Sequence, residues 1–431
     1  MEAASKLGAV PGPQGYSLPR IVINMWWNPL RFLSEIAARY GDIVCVHPKR
    51  IYLVNHPDHV RQVLHDRREI YSKSKVGATP KREAPLHQSQ DVMPQTYLER
   101  RRYLGFQSIV RSEGEVWRRQ RSMVQPIFSR SQIAGLAEIV TQATRSMLTR
   151  WSTANGAILD IEKEMLELVR TMALKSFFGG RLDDEAIGKL AAAAGNVHDF
   201  FDTRSFVPLR MPERVPTATN RRFRESFQLL SEFVDREIME RRRDGHDVED
   251  MLGLMLRAKD DESGEGLNQR QLYDEALMLA IVGHQTTAAA LMWTLHLLEA
   301  NSACEKRLHG ELVRVLGERA ATLEDLPKLT YLRQVVDESM RLYPPTWIIA
   351  RRALQDDVIG GYQVPAGADV VICPYVLHRH PGFWEDAEIF DPDRFVLGKR
   401  NPAFVPFGYG ERICMASHFA LTQISLVLAD I

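Results

Sequence analysis

The 431 residues include 55 basic and 55 acidic side chains, so net charge draws the molecule neither to nucleic acid nor to anionic lipid. Apolar residues at 45% and charged residues at 26% are those of a soluble globular protein. The four cysteines, Cys45, Cys304, Cys373 and Cys414, lie far apart without zinc-type spacing, which argues against a disulfide framework or structural zinc and for a reducing, cytoplasmic setting.

The N-terminus has no apolar run of the signal-peptide kind, so neither leader nor anchor is expected. Residues 11–19, rich in Pro and Gly, read as an extended lead-in. Apolar spacing predicts a helix over 28–40, a hairpin of strands over 43–46 and 51–54, and a helix over 58–65. Pro80, Pro85 and Pro94 break the pattern from 73 to 102, which reads as a long loop of a kind that is often functional. A basic helix over 115–124 carries Trp117, Arg118, Arg119 and Arg121. Helical spacing then runs from 129 to about 240, broken over 205–217 by Pro208, Pro212 and Pro216, where either a hinge or a plain connector fits. The charge run over 241–250 reads as a solvated face, and 259–266 as a charged loop.

Asn268 and Gln271 form a capping-box pair for a helix reaching about residue 298. At roughly 30 residues it is about 45 Å long. It is apolar on nearly every side, so it should cross the centre of the molecule. His284, Gln285, Thr286 and Thr287 sit midway along it, which favours a buried helix of a soluble protein over a membrane span. Helices follow over 301–316 and 331–342, strands over 358–364 and 369–372 around Pro365-Ala366-Gly367, and an apolar helix over 421–429. The fold class is mainly α with small β-sheets.

One loop concentrates reactive chemistry: Phe407-Gly408-Tyr409-Gly410-Glu411-Arg412-Ile413-Cys414-Met415-Ala416. Gly408 and Gly410 allow a tight turn and close backbone approach. The charge of Arg412 would favour a thiolate at Cys414, as would backbone N–H groups near the helix start that follows. Cys414 reads as a thiolate ligand rather than a structural cysteine.

At these residues the chain resembles the cytochrome P-450 family, whose signature F-x-x-G-x-R-x-C-x-G is matched except at Ala416. The resemblance implies one haem-enclosing domain over 1–431, helix-rich over about 115–342 and 415–431, and β-rich over about 43–54 and 346–375. It implies haem b (iron protoporphyrin IX) with Cys414 as axial ligand to the iron, held in the loop 407–416. Glu338 and Arg341 match the family's E-x-x-R, and residues 390–395 match its PERF-type motif. Glu338, Arg341 and Arg394 are therefore expected as a structural triad behind the cysteine loop. Trp117 and Arg121 match W-x-x-x-R, an i, i+4 pair suited to a haem propionate. Arg351, in preference to Arg352, and Arg412 are the other implied propionate partners.

In the long helix Gly283 and Thr286 match the family's A/G-G-x-D/E-T. Their implied roles are to leave room over the iron and to steer protons to dioxygen. Gln285 replaces the acid; an amide hydrogen-bonds water but does not carry a proton as a carboxylate does. Phe200, Phe201, Val282, Thr346 and Trp347 are the implied pocket residues and suggest an apolar small-molecule substrate.

The implied activity is insertion of one atom of dioxygen into that substrate, by hydroxylation or epoxidation, of the kind used in secondary metabolism. The chain has no room for a reductase domain, so electrons are expected from a separate ferredoxin or flavodoxin with its reductase. Arg118, Arg119, Lys399 and Arg400 either dock that carrier or are solvated surface charges. Two alternatives stand beside this reading. Gln285 motivates a peroxide-using or hydroperoxide-isomerising enzyme. Only 17 residues follow Cys414, whereas the family continues into a terminal β-hairpin, which motivates an expectation of a shortened, non-catalytic haem- or ligand-binding form.

Overall fold

The computed structural model describes residues 9–13, 18–47, 51–73, 107–153, 156–179, 182–206, 215–244, 249–396 and 401–431. The expected loop at 73–102 is thus described only at Lys73. Residues 207–214 of the proline-rich break, together with Lys399 and Arg400, lie outside the described residues.

Helix α1, Leu18–Trp27, starts at the end of the expected lead-in over 11–19 and runs through residues for which no element is predicted. Helix α2, Pro29–Tyr40, starts where the Asn28 side chain accepts from the Arg31 N–H, and it buries Phe32, Leu33, Ile36 and Ala37. Strands β1, Ile43–His47, and β2, Ile51–Val54, pair antiparallel as expected. Helix α3, Pro57–Arg61, runs into a π-helical turn at Gln62–Asp66. Strand β3, Tyr71–Lys73, has no local signal in the sequence.

The helical body comprises α4 (Gly114–Val124), α5 (Arg130–Thr153), α6 (Ile161–Phe178), α7 (Asp184–Phe206), α8 (Ala218–Asp244) and α9 (Met251–Arg257). The reading of 241–250 as a solvated face holds at Arg242, Arg243, Asp244 and Glu249, which are exposed, and is corrected at Arg241 and Asp250. Arg241 is buried, not solvated: it meets Asp250 at 2.5 Å and Glu237 at 3.5 Å, and donates to the Phe178 carbonyl at 3.0 Å. It ties the ends of α6 and α8 to the first turn of α9, so its charge is neutralised inside the fold.

The long central helix is interrupted. The capping box of Asn268 and Gln271 opens α10, Gln269–Val282; after a turn at Gly283 and His284, α11 runs Gln285–Ala300. A Cβ at Gly283 would stand 2.8 Å from the Leu279 carbonyl oxygen, so a side chain there would force the backbone to move. By length and composition the stretch Gln269–Ala300 could cross a membrane, but half of its most apolar window is buried within the protein.

Helices α12 (Ser302–Leu316) and α13 (Thr330–Leu342) follow, then β4 (Ile349–Ala353), β5 (Asp357–Ile359), β6 (Tyr362–Val364) and β7 (Asp369–Ile372). The expected single strand over 358–364 is a hairpin, β5–β6, turning at Gly360 (φ 53°) and Gly361 (φ 84°). The main sheet has the order β1-β2-β7-β4-β3, parallel only between β2 and β7. The short α14, Pro374–Leu377, precedes the cysteine loop, and α15, Ser417–Asp430, follows it and packs on α11 and α5. The core falls into helix-built clusters and sheet-built clusters, and the cysteine loop lies between them: Met415 and Ala416 join the first kind, Phe404 both.

Candidate active site

The cysteine loop owes its shape to two glycines. Gly408 (φ 80°) and Gly410 (φ 75°) hold left-handed backbone, and a Cβ at Gly410 would lie 2.1 Å from the Leu64 carbonyl oxygen. The Cys414 N–H donates to the Phe407 carbonyl at 3.0 Å and closes the loop. Solvent reaches Cys414 even though protein packs densely around it. That packing raises the thiol above its ordinary range; the Ala416 N–H and the Arg121 charge only partly offset it. The expectation that Arg412 favours the thiolate is therefore corrected. Arg121 supplies the charge, and Arg412 stacks on Trp117 instead, 4.4 Å above the ring.

Behind the loop Glu338, Arg341 and Arg394 come together. Arg341 meets Glu338 at 2.6 and 2.8 Å, and Arg394 Nε stands 3.5 Å from Glu338 Oε1. Arg341 also donates to the carbonyls of His378, Ala387 and Ile389, while Glu338 accepts from the Asp391 N–H. His378 extends this network, and no motif in the sequence singles it out. Its Nδ1 bonds the Arg341 carbonyl at 3.1 Å, and its Nε2 accepts from the Val405 N–H at 2.9 Å. Complete burial pushes its imidazole down to about 3, so the ring is neutral and carries its proton on Nδ1.

Beside the cysteine lies a group of cations with few anions. Arg121 donates to the Ile413 carbonyl and to Gln125, at 2.9 and 2.8 Å. Arg412 donates to the Ser112 carbonyl at 3.0 Å and, among the described residues, leaves Nη1 buried without a partner. Among the described residues Arg351 donates to the Ala350 carbonyl alone, at 3.0 Å; burial, then the Arg412 charge, pushes it down to about 10. Its neighbour Arg352 is held by Asp369 at 3.0 and 2.7 Å. Lys73 enters because β3 pairs with β4 in a register that sets it opposite Arg351. Burial, then Arg412 and Arg351, push its ammonium down to about 7. Glu113 is the carboxylate whose charge reaches Lys73, Arg351 and Arg412 together. Lys73 and Glu113 are absent from the sequence-based set, because nothing local marks either.

On the central helix Val282, Gly283 and Thr286 are exposed, while Ile281, His284, Thr287 and Ala288 are buried. Gln285 buries its Oε1 without a partner. The expected pocket set divides. Phe201, Val282 and Thr346 are exposed. Phe200 belongs instead to the α7–α8 core, stacked on Phe223 with centroids 3.8 Å apart, and Trp347 packs half-buried against the sheet-side core. The Phe200 ring found its partner on the next helix, and Trp347 found its neighbours in elements distant in sequence. Among the expected docking residues Arg118 is exposed, while Arg119 is paired with Glu265 at 2.7 Å.

A mainly helical fold with small sheets and one accessible cysteine beside clustered arginines is that of an oxidoreductase of the monooxygenase class. The family described as Cytochrome P450 matches residues 11–431, and the chain belongs to it. It is 35% identical to cyclooctat-9-en-7-ol 5-monooxygenase of Streptomyces melanosporofaciens, over 98% of this chain and 88% of that one. It is 28% identical to pentalenene oxygenase of Streptomyces avermitilis, over 94% and 86%. The crystal structure of the cytochrome P450DA heme domain matches with a TM-score of 0.83 and 25% identity, over 99% of this chain and 91% of that one.

Family membership implies a haem cofactor. The residues present fit one. Among the described residues, the surplus of half-buried cations and the orphaned Arg412 Nη1 suit a group bearing two carboxylates, and an accessible thiol stands beside them.

Proposed function

We propose that this monooxygenase carries haem b on Cys414 and inserts one oxygen atom of dioxygen into a terpene, taking electrons from a separate ferredoxin or flavodoxin. The observation that carries the proposal is the accessible Cys414 thiol beside Arg121, Arg351, Arg412 and Lys73, a cation group short of anions among the described residues. The terpene reading is supported by the substrates in the names of the two Streptomyces relatives. The exposed Phe201, Val282 and Thr346 fit a largely apolar guest.

When bound, haem supplies the reductive activation of dioxygen, and a thiolate ligand donates electron density that favours O–O cleavage. Arg121, Arg351, Arg412 and Lys73 would hold the haem's carboxylates, each by charge-assisted hydrogen bonds of about 1.5–3 kcal/mol. Ionising the Cys414 thiol is opposed by its packing, so the ligand forms where Arg121 and the Ala416 N–H face the sulfur. Thr286 presents a hydroxyl able to hold and pass a proton. The Glu338–Arg341–Arg394 triad and His378 hold the loop that carries Cys414. A surface cleft of about 400 Å³ lined by Ser122, Gln125, Pro126, Phe128, Ser129 and Met415 lies beside this loop, and the exposed Arg118 on α4 offers a charge to an acidic electron carrier.

The test is spectroscopic. Protein reduced under carbon monoxide should show the red-shifted Soret band of thiolate-ligated haem, and Cys414→Ala should lose it entirely. An unchanged band in that variant defeats the ligand assignment. Cyclooctat-9-en-7-ol and pentalenene should each shift the haem spin state. Equal response to linear fatty acids would defeat the terpene reading.

A further inference from the structure

Asp357 opens β5 with its carboxylate sealed from solvent, and the site described above does not use it. Donors from separate stretches of the chain converge on it. The Arg67 guanidinium and the Val358 N–H reach Oδ1, the latter at 2.8 Å; the Tyr71 hydroxyl and the Gln62 amide reach Oδ2, at 2.6 and 3.2 Å. Gln62 donates to the Val358 carbonyl as well, at 2.8 Å. Gln62 begins the π-helical turn Gln62–Asp66, and Arg67 closes it, its N–H donating to the Gln62 carbonyl at 2.9 Å. Asp357 therefore clasps that turn at both ends. Short π-helical turns recur at functional sites, and this one meets the cysteine loop. A Cβ on Gly410 would overlap the Leu64 carbonyl oxygen and stand 3.4 Å from the His65 Cα. The His65 ring stands edge-on to Tyr409, with centroids 6.0 Å apart, and Arg68 pairs with Glu411 at 2.7 Å. His378 grips the loop at Val405, ahead of Gly408. The π-helical turn and Arg68 meet it at Tyr409, Gly410 and Glu411, between Gly408 and Cys414.

We propose that Asp357 is a positioning residue for the Cys414 ligand: it fixes the π-helical turn Gln62–Asp66, and that turn sets where the cysteine loop carries its sulfur. This role presupposes the haem-thiolate reading. Gly410 and the Leu64 carbonyl leave no room between them for a methyl group, so a shift of the turn toward the loop moves the loop's backbone with it. A shift away removes that support and leaves the exposed Arg68–Glu411 pair, weak by itself, as the tie. The buried carboxylate prevents both. Its donors include one charged group and come from residues 62, 67, 71 and 358, so its place is defined from several directions at once. Tyr71 also opens β3, whose pairing with β4 sets Lys73 opposite Arg351. One carboxylate thus refers the sulfur-bearing loop and part of the cation group to a common point. Partners that orient a metal's ligand in this way govern both how tightly the metal group is held and its electronic character.

The test compares Asp357→Asn with Asp369→Asn, the latter altering a buried carboxylate of β7 that holds Arg352. Each haem-loaded protein is reduced under carbon monoxide. The red-shifted Soret band of thiolate-ligated haem is then read against the shorter-wavelength band of haem that has lost the thiolate. In Asp357→Asn that ratio should fall about tenfold at equal haem content, the usual effect of losing a partner that orients a metal ligand. Asp369→Asn should lose stability to urea and keep the ratio. Gln62→Met keeps the volume of the side chain and removes its donors to Asp357 and Val358; it should lower the ratio too, and it decides the matter should Asp357→Asn not fold. A ratio unchanged in Asp357→Asn, or in Gln62→Met where that variant alone folds, overturns the positioning role, whatever stability is lost. So does an equal fall in Asp369→Asn. A wild type without the red-shifted band defeats the haem-thiolate reading itself; a wild type that shows it beside unchanged variants defeats the role of Asp357 alone.

Discussion

Arg341 and Arg412 are both withdrawn from bulk water, and the fold treats them in opposite ways. Arg341 directs five hydrogen bonds to protein, two of them to Glu338. Among the described residues Arg412 makes one, rests on Trp117, and leaves Nη1 buried and unpartnered. Glu338 has Arg341 and Arg394 close around it, whereas Glu113 is shared among Lys73, Arg351 and Arg412. A guanidinium whose donors all end on the chain holds the fold together. One that keeps donors unused among like charges destabilises the chain until an anion arrives, and binding then recovers that free energy.

The largest effect that could break this contrast is expected from Arg341→Ala. It strands Glu338 in the core and should cost about 3–5 kcal/mol, read by chemical denaturation. A loss below about 1 kcal/mol would put Arg341 with ordinary surface pairs. Arg412→Ala should behave otherwise. Haem should dissociate about ten- to a hundredfold more readily, the worth of one charge-assisted hydrogen bond, while the stability of the haem-free chain holds or rises. Equal destabilisation of the haem-free chain by both variants would erase the distinction.

A pH measurement sharpens the contrast one step further from the haem. Glu275 on α10 accepts from the Ile109 N–H at 2.5 Å, and burial pushes its carboxyl up to about 8 from an ordinary value of 4.5. The folded chain therefore keeps a proton that the unfolded chain has released, so this group makes stability fall as pH rises from about 4.5 to 8. Glu275→Gln should match the wild type near the acid end of that window and exceed it in Tm near the alkaline end. Identical pH slopes would sink the assignment. Lys73, pushed down to about 7, has the opposite sign, raising stability above that pH, so the Glu275 slope is cleanest below it. The smallest effect belongs to Arg119, paired with Glu265 at the surface. Arg119→Ala should cost less than about 1 kcal/mol. Arg118→Ala should raise the KM for the electron carrier more than Arg119→Ala does; the reverse order would move the docking face.

What was readable in the sequence is local. Apolar periodicity revealed α2, α4 and α13, and the Asn268–Gln271 pair marked where α10 starts. Residue pattern revealed neither β3 nor β4, although β4 falls within the β-rich stretch 346–375 that the resemblance implies, because both are short and carry Ser72, Lys73, Arg351 and Arg352, whose pairing joins segments far apart in the chain. Phe200 and Trp347 were read as pocket residues because an aromatic ring gives no local sign of whether it meets substrate or core.

The sequence by itself determined the chemistry on offer: a cysteine on a glycine turn, a Glu and an Arg three residues apart on one helix, and a helix centre with an amide in the place of an acid. Each depends on residue types a few positions apart, and backbone sterics and helical spacing are local. Only the tertiary structure decided which charges are neutralised. It buried Arg241 with Asp250, brought Lys73 and Glu113 to Arg351 and Arg412, set Arg121 rather than Arg412 beside the sulfur, and sealed His284 against α6 and α7. The reason is that desolvation and pairing depend on atoms brought together from distant parts of the chain, and those two effects separate an arginine that holds the fold from one that waits for a cofactor.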